Sequence, residues 1–359
     1  MKKRIMWIDV ARAIAMLCVI IGHSLYQYTD STFGNMIYNF HMPLFFIFSG
    51  YLYHMKHWDK EARGAGLNLL LPYYTTAGLM GLVFLYREFF PKFLAVGFPP
   101  SAKALLNMTL YGVGVTPRTP FPTTVLAIGA IWFLMALAIA DMVFNLVMIK
   151  TQGSPSQNIS RLLIFGTLAG VGRLISTYWL LPLSINSALF ALVFMYIGYL
   201  AKDGALLERQ SGKLFIMALL IWLAVSTQQT FYLVSLETPD TLLAIVGAVA
   251  GTFAVVKLAQ GLTHLKLTSR VMAFLGRNSI IILCFHSIDI MFSNVPNLIM
   301  TAGFTTNDYL KIVLVVLYRM IIPIIAAIVI PHIPVLRSLF LNRVYPFKKR
   351  GRVNKNAKT

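Results

Sequence analysis

About ten stretches of mostly apolar residues, each roughly 17 to 25 long, follow one another along this chain. They cover approximately residues 7–27, 36–54, 67–86, 124–148, 159–181, 185–201, 212–236, 240–260, 271–293 and 309–331. A helix of that length matches the hydrocarbon thickness of a bilayer, and it satisfies its own backbone polar groups, which lipid cannot do. The expected fold class is therefore an all-α polytopic membrane protein with about ten transmembrane helices. Composition agrees: 12% of residues are charged, against about 25% in soluble domains, and mean hydropathy is +0.72. The first stretch, Trp7 to Tyr26, is long enough to be a retained span rather than a cleaved signal peptide. The two cysteines, Cys18 and Cys284, lie in apolar runs and read as small buried hydrophobes.

A formal net charge of +19 would suggest nucleic acid in a soluble protein, so the position of the charge decides its meaning. With a cytoplasmic N-terminus, most of the 31 Lys and Arg fall in the inside segments or the C-terminal tail. Lys2, Lys3, Arg4, Lys56, Lys60, Arg63, Lys202, Arg209, Lys266 and Arg270 are among them. Outside loops carry Arg87, Lys92, Lys103, Arg118 and Lys311, together with Glu237, Asp240 and Asp308. That asymmetry is the positive-inside pattern and predicts both termini in the cytoplasm. Residues 1–335 then form one membrane domain and 336–359 a basic cytoplasmic tail, ending NRVYPFKKRGRVNKNAKT, suited to anionic lipid rather than nucleic acid. One long connection, residues 87–123, contains GFPPS and TPRTPFPTT, whose prolines favour extended and turn conformations. Its Arg87, Lys92, Lys103 and Arg118 are candidate contacts for an anionic acceptor.

Ionisable groups inside membrane spans are costly and read by default as functional. In WIDVARAIAMLCVIIGHSLY, Arg12 and His23 are eleven positions apart. They point within about 20° of one direction, ~16 Å apart along the axis. His41, in NFHMPLFFIFSGYL, is expected at the depth of His23, at the entry of a helix that is irregular or starts near Pro43; Ser49 follows deeper. In FLGRNSIIILCFHSIDIMF, Arg277 stands at the inner end, and a turn at Asn278 and Ser279 precedes a helix on which His286 and Asp289 share a face. Arg173, Arg319 and Asp141 complete the intramembrane set. Each admits a plain reading as well: a hydrogen-bonded packing histidine, or charge neutralisation by pairs such as Arg12 with Asp9 or Asp141, and Arg319 with Asp289. No helix carries an H-x-x-x-H or E-x-x-H pair, so no metal is expected. Neither a G-x-S-x-G elbow nor a Gly-rich phosphate loop is present.

The segments IDVARAIAMLCVIIGH and FHMPLFFIFSGYL, supported by AIWFLMALAIAD, FALVFMYIGYLAK and FLGRNSIIILCFHS, resemble the acyltransferase-3 family of integral membrane acyltransferases over nearly the whole chain. The likeness is greatest to bacterial glycan and fucose O-acetylase-like members. The resemblance implies about ten spans, acetyl-CoA or another acyl-CoA as cytoplasmic co-substrate, and transfer to a sugar hydroxyl of a cell-surface or lipid-linked glycan in a bacterial plasma membrane. By motif match His23 takes the family's catalytic histidine and Arg12 its arginine, while His41, Ser49 and Arg277 occupy further motif positions. By this resemblance the chain is expected to act as a lone membrane domain, without the esterase-like C-terminal domain that some members have. A homodimer is among the assemblies it allows.

Acyl transfer needs a base for the acceptor hydroxyl, and neutral histidine suits that task. His23, with Arg12 and His41, is thus the expected catalytic set; Arg12, Arg277 and Arg319 are the cations for the CoA phosphates, and Ser49, His286 and Asp289 face the acceptor. The alternative is a transporter or flippase in which the same buried Arg, His and Asp side chains couple protons or an anion.

Overall fold

The computed structural model describes residues 5–95, 97–120, 124–208 and 211–347, and these are all helix, turn and loop. The last residues of the expected tail, 348–359, lie outside the described residues. The helices are α1 (Met6–Gly22), α2 (Thr32–Tyr51), α3 (Trp58–Ala65), α4 (Leu71–Tyr86), α5 (Ala102–Tyr111), α6 (Trp132–Lys150), α7 (Gln157–Ser176), α8 (Ile185–Asp203), α9 (Gly212–Ser226), α10 (Thr241–Leu262), α11 (Lys266–Arg277), α12 (Ser279–Phe292), α13 (Val295–Thr301), α14 (Asp308–Val329) and α15 (Pro334–Phe340). A π-turn over Gly66–Leu70 fuses α3 to α4.

Each of the ten apolar stretches contains a helix, but fewer than ten helices qualify as spans by their own length and apolarity. Among the described residues six do so, and a seventh if α11 and α12, bent by 68° about their junction, count as one broken span. The others fall short for identifiable reasons. Helix α1 has 17 residues, Asp9 and Arg12 among them, and α9 has 15; α2 has 20 residues but carries Asn35, Asn39, His41 and Ser49. Helix α1 falls short by its length, whereas in α2 the polar groups that make it interesting are what lower its apolarity.

Lipid tails are as apolar as leucine, so helix association in a membrane depends on close van der Waals packing between small residues rather than on hydrophobic burial. The crossing of α2 and α8 has that form. A Cβ added at Gly50 would lie 1.8 Å from the Met195 carbonyl oxygen, and one at Gly198 would lie 2.0 Å from that of Ile47. Helix α1 packs antiparallel against α2, with Trp7 edge-on to Phe48 and Tyr51 at 5.9 Å. Helix α11 lies on α1, where a Cβ at Gly276 would meet the Asp9 carbonyl oxygen at 1.8 Å. Only the bend at Asn278 lets α11 hold that contact while α12 turns away beside α14.

Two expectations are corrected. Pro43 does not start a helix; it lies inside α2, which runs unbroken from Thr32. A proline there leaves one carbonyl without its intrahelical donor, a defect membrane helices accommodate through their neighbours, and His41 is therefore mid-helix rather than at a helix entry. The stretch 212–236 is also not one span. The polar run Thr227-Gln228-Gln229-Thr230 stops α9, and Phe231 to Leu236 fold back as a cap over the bundle, with a bridge between Tyr232 and Glu237. At the other end of the chain, α15 runs across the 335/336 boundary and buries Phe340 against Phe285, their ring centroids 5.8 Å apart.

Candidate functional site

Helix α1 ends because Gly22 is followed by His23, whose backbone (φ −70°, ψ −1°) closes the last turn through a 3.1 Å bond from its N–H to the Val19 carbonyl. The final carbonyls of a helix have no partner within it. Here Arg319 of α14 donates from Nη1 to the His23 carbonyl, placing a cation at the negative end of the α1 dipole. The His23 ring then faces a small cavity lined by Val19, Tyr38, His41, Trp132, Tyr232 and Leu283, among others. Its volume, about 40 Å³, is room for roughly two or three waters.

On the opposite wall, His41 is buried, and its Nδ1 lies 2.7 Å from the Ile37 carbonyl oxygen one turn earlier in α2. A carbonyl only accepts, so the neutral ring carries its proton on Nδ1 and keeps the Nε2 lone pair. Tyr38 stands between the histidines, with ring centroids 6.4 Å from His23 and 5.3 Å from His41. His286 of α12 lies behind His23, ring to ring at 5.6 Å, fully buried and with neither nitrogen hydrogen-bonded among the described residues. Asp289, one turn on, has Oδ2 3.7 Å from Arg319 Nε. No group of three His, Cys, Asp or Glu side chains is arranged to hold a metal among the described residues.

The cap covers part of the cavity, and the turn that leads into it is tied to α2. Asn35 Nδ2 donates to the Ser226 carbonyl (2.9 Å), Asn39 Nδ2 to Ser226 Oγ (3.0 Å) and to the Gln229 carbonyl (3.2 Å), and Thr230 donates to Asn35 Oδ1. The Tyr232 hydroxyl donates to Asp30 at 2.7 Å, and burial together with that carboxylate raises its phenol above the ordinary value, leaving a neutral donor at the rim. Tyr38, Tyr232 and Trp132 do not figure in the sequence reading. The signal for them was Asn35 and Asn39, one turn apart on one face of α2 and needing partners from another segment.

The structure brings His23, His41, His286, Asp289 and Arg319 to one end of α1, and leaves Arg12, Ser49 and Arg277 toward the other. Half-buried Arg12 is on the turn after Asp9, and exposed Arg277 follows Gly276, which touches the Asp9 backbone. Eleven residues of helix, ~16 Å, separate Arg12 from His23, so Arg319 is not grouped with the other two arginines. Ser49 lies eight residues beyond His41 in α2 and donates to Asp141 Oδ1 at 2.5 Å. In the long connection, Arg87 is not an open cation: it is buried, donates to the Pro99 carbonyl at 2.7 Å and packs 4.2 Å over the Phe84 ring, whereas Lys92, Lys103 and Arg118 are exposed.

A sequence family described as an acyltransferase domain matches residues 5–332, from the start of α1 to the turn after α14. The chain belongs to the acyltransferase-3 family. Comparison with curated proteins and with solved structures gives no match. The match makes the chain a multi-pass membrane acyltransferase, and within this acyltransferase-3 domain the histidine end holds imidazoles while the opposite end of α1 holds Arg12 and Arg277. Acyl transfer by general base catalysis needs a base, most often an imidazole, within reach of the acceptor proton, and two imidazoles, His23 and His41, line the cavity.

Proposed function

We propose that the chain is an O-acyltransferase of a bacterial plasma membrane that moves an acetyl group from acetyl-CoA to a sugar hydroxyl of a cell-surface or lipid-linked glycan. What supports this reading, beyond the family, is one observation: α1 presents His23 to a small cavity at one end and Arg12 at the other, ~16 Å apart, close to the reach of an extended pantetheine arm. With both termini cytoplasmic, Arg12 and Arg277 hold the CoA phosphates inside, and the thioester reaches His23 near the outer face. His23 removes the acceptor proton. The acceptor oxygen attacks the thioester carbonyl, the C–S bond breaks, and the CoA thiolate takes the proton back from His23. His286, whose ring lies 5.6 Å behind that of His23 with neither nitrogen partnered among the described residues, backs the catalytic imidazole, with the carboxylate of Asp289 one turn further along α12 beside Arg319.

A second assignment of roles is favoured by the Nδ1 bond of His41. That bond fixes the tautomer of a base, which would leave His23 as a transient acyl carrier. Purified protein given radiolabelled acetyl-CoA tests both. His23→Ala is expected to lose about 10²-fold or more in turnover; full activity would remove His23 from the chemistry. Hydroxylamine-labile label on His23 in a single turnover selects the carrier role. Solute movement without any acetyl-CoA consumption would replace the enzyme with a transporter.

A further inference from the structure

Arg319 is 8% exposed, and its guanidinium reaches two targets at once: the His23 carbonyl, to which Nη1 donates, and the Asp289 carboxylate, 3.7 Å from Nε. The five donors of arginine sit in a rigid fork that one lysine ammonium cannot imitate. Three helices meet at this guanidinium: α1 through the carbonyl of its C-terminal cap residue His23, α12 through Asp289, and α14 through Arg319 itself. Asp289 is three residues past His286 on the same face of α12, and the His286 ring is 5.6 Å from that of His23. A shift of about 1 Å between reacting groups can cost 10²-fold in rate, so whatever holds the end of α1 against α12 governs the chemistry there. The sequence suggested Arg319 as a cation for the acyl donor. Its place argues otherwise: it is buried, its charge is met by Asp289, and it contacts the end of α1 far from Arg12.

We propose that Arg319, paired with Asp289, is a positioning residue that clamps the carbonyl of His23 and so sets the His23 imidazole opposite His286. The inference rests on His23 carrying the acyl-transfer chemistry, as proposed above. The carbonyls of Ile20, Ile21 and Gly22 keep their own donors from Ser24 and Leu25, so removing the clamp strips the donor from the His23 carbonyl alone and leaves a buried carboxylate with no cation, and the chain at residues 22–25 loosens.

The test uses the full chain in lipid nanodiscs, as wild type, Arg319→Met, Arg319→Lys and Asp289→Asn. Thiol release from acetyl-CoA, with water as acceptor, gives kcat and KM; hydrogen exchange by mass spectrometry reports the amides of residues 22–25 separately from the rest of α1. Arg319→Met is expected to lower kcat by about tenfold or more, to leave KM for acetyl-CoA within about twofold, and to speed exchange at 22–25 only. Arg319→Lys and Asp289→Asn shift the same readouts in the same direction by less. A raised KM for acetyl-CoA at preserved kcat would make Arg319 a donor ligand and overturn the proposal, as would unchanged kcat and exchange. If Arg319→Met does not fold, the two milder variants carry the same test. If wild type consumes no acetyl-CoA, the acetyltransferase reading fails by itself, and exchange at 22–25 alone decides whether the clamp exists.

Discussion

His23 and His41 share a cavity but are held differently, and the difference decides what a substitution at each should do. His41 is anchored through Nδ1 to its own helix, so His41→Phe keeps ring volume while losing the lone pair. Turnover should fall by about tenfold or more with thermal stability nearly unchanged, and a variant that turns over like wild type would confine His41 to packing. Ser49 belongs to a different problem. Its hydroxyl gives Asp141 a 2.5 Å hydrogen bond, and Ser49→Ala should destabilise the protein by about 1–3 kcal/mol, the usual cost of leaving a buried polar group unsatisfied, visible as a lower midpoint in thermal unfolding. At this scale the sequence was informative where spacing carries chemistry. His286 and Asp289 three apart on one helix, with Arg319 as a charge partner, are legible as a pair and do meet. The donation from Arg319 to the His23 carbonyl was not legible, because a backbone acceptor leaves no mark on residue type.

The contact of α11 with α1 is set by a single missing methyl. Gly276→Ala places a Cβ against the Asp9 carbonyl, a clash with backbone that only displacement of α11 relieves. Because Arg277 follows directly and Arg12 is one turn past Asp9, the expected result is a severalfold higher KM for acetyl-CoA with kcat largely kept; an unchanged KM would detach this end from donor binding. Elements were readable wherever apolar runs were long, and each of the ten runs does hold a helix. The boundaries failed where apolar residues serve a purpose other than spanning. Phe231 to Leu236 are as apolar as any membrane segment, yet they cap the cavity, and their hydrophobicity fills its roof. Pro43 misled in the opposite sense, since a membrane helix keeps a proline that a soluble one would place at its first turn.

The whole bundle has two chemically distinct ends, and their assignment to the two sides of the membrane can be checked without any substrate. The native cysteines are poor labelling sites: Cys284 is buried and Cys18 half-buried within helices. In intact cells Thr306→Cys, in the exposed loop before α14, should react with an impermeant maleimide, and His57→Cys, in the exposed loop before α3, should react only after permeabilisation. The opposite pattern would put Arg12 and Arg277 outside, away from acyl-CoA. The capped cavity, with space for a few waters, bears on a different property of the same bundle. A plasma membrane stores about 2.3 kcal/mol per elementary charge for each 100 mV across it, and a continuous file of water between its faces would drain that store. On the proposed reading, in which a cytoplasmic donor meets an external acceptor, the protein must therefore also be an electrical insulator. Proteoliposomes containing it should hold an imposed proton gradient while acetyl-CoA is being consumed, as a trapped pH-sensitive dye would report, with the apolar packing around the small cavity keeping water from forming a continuous file.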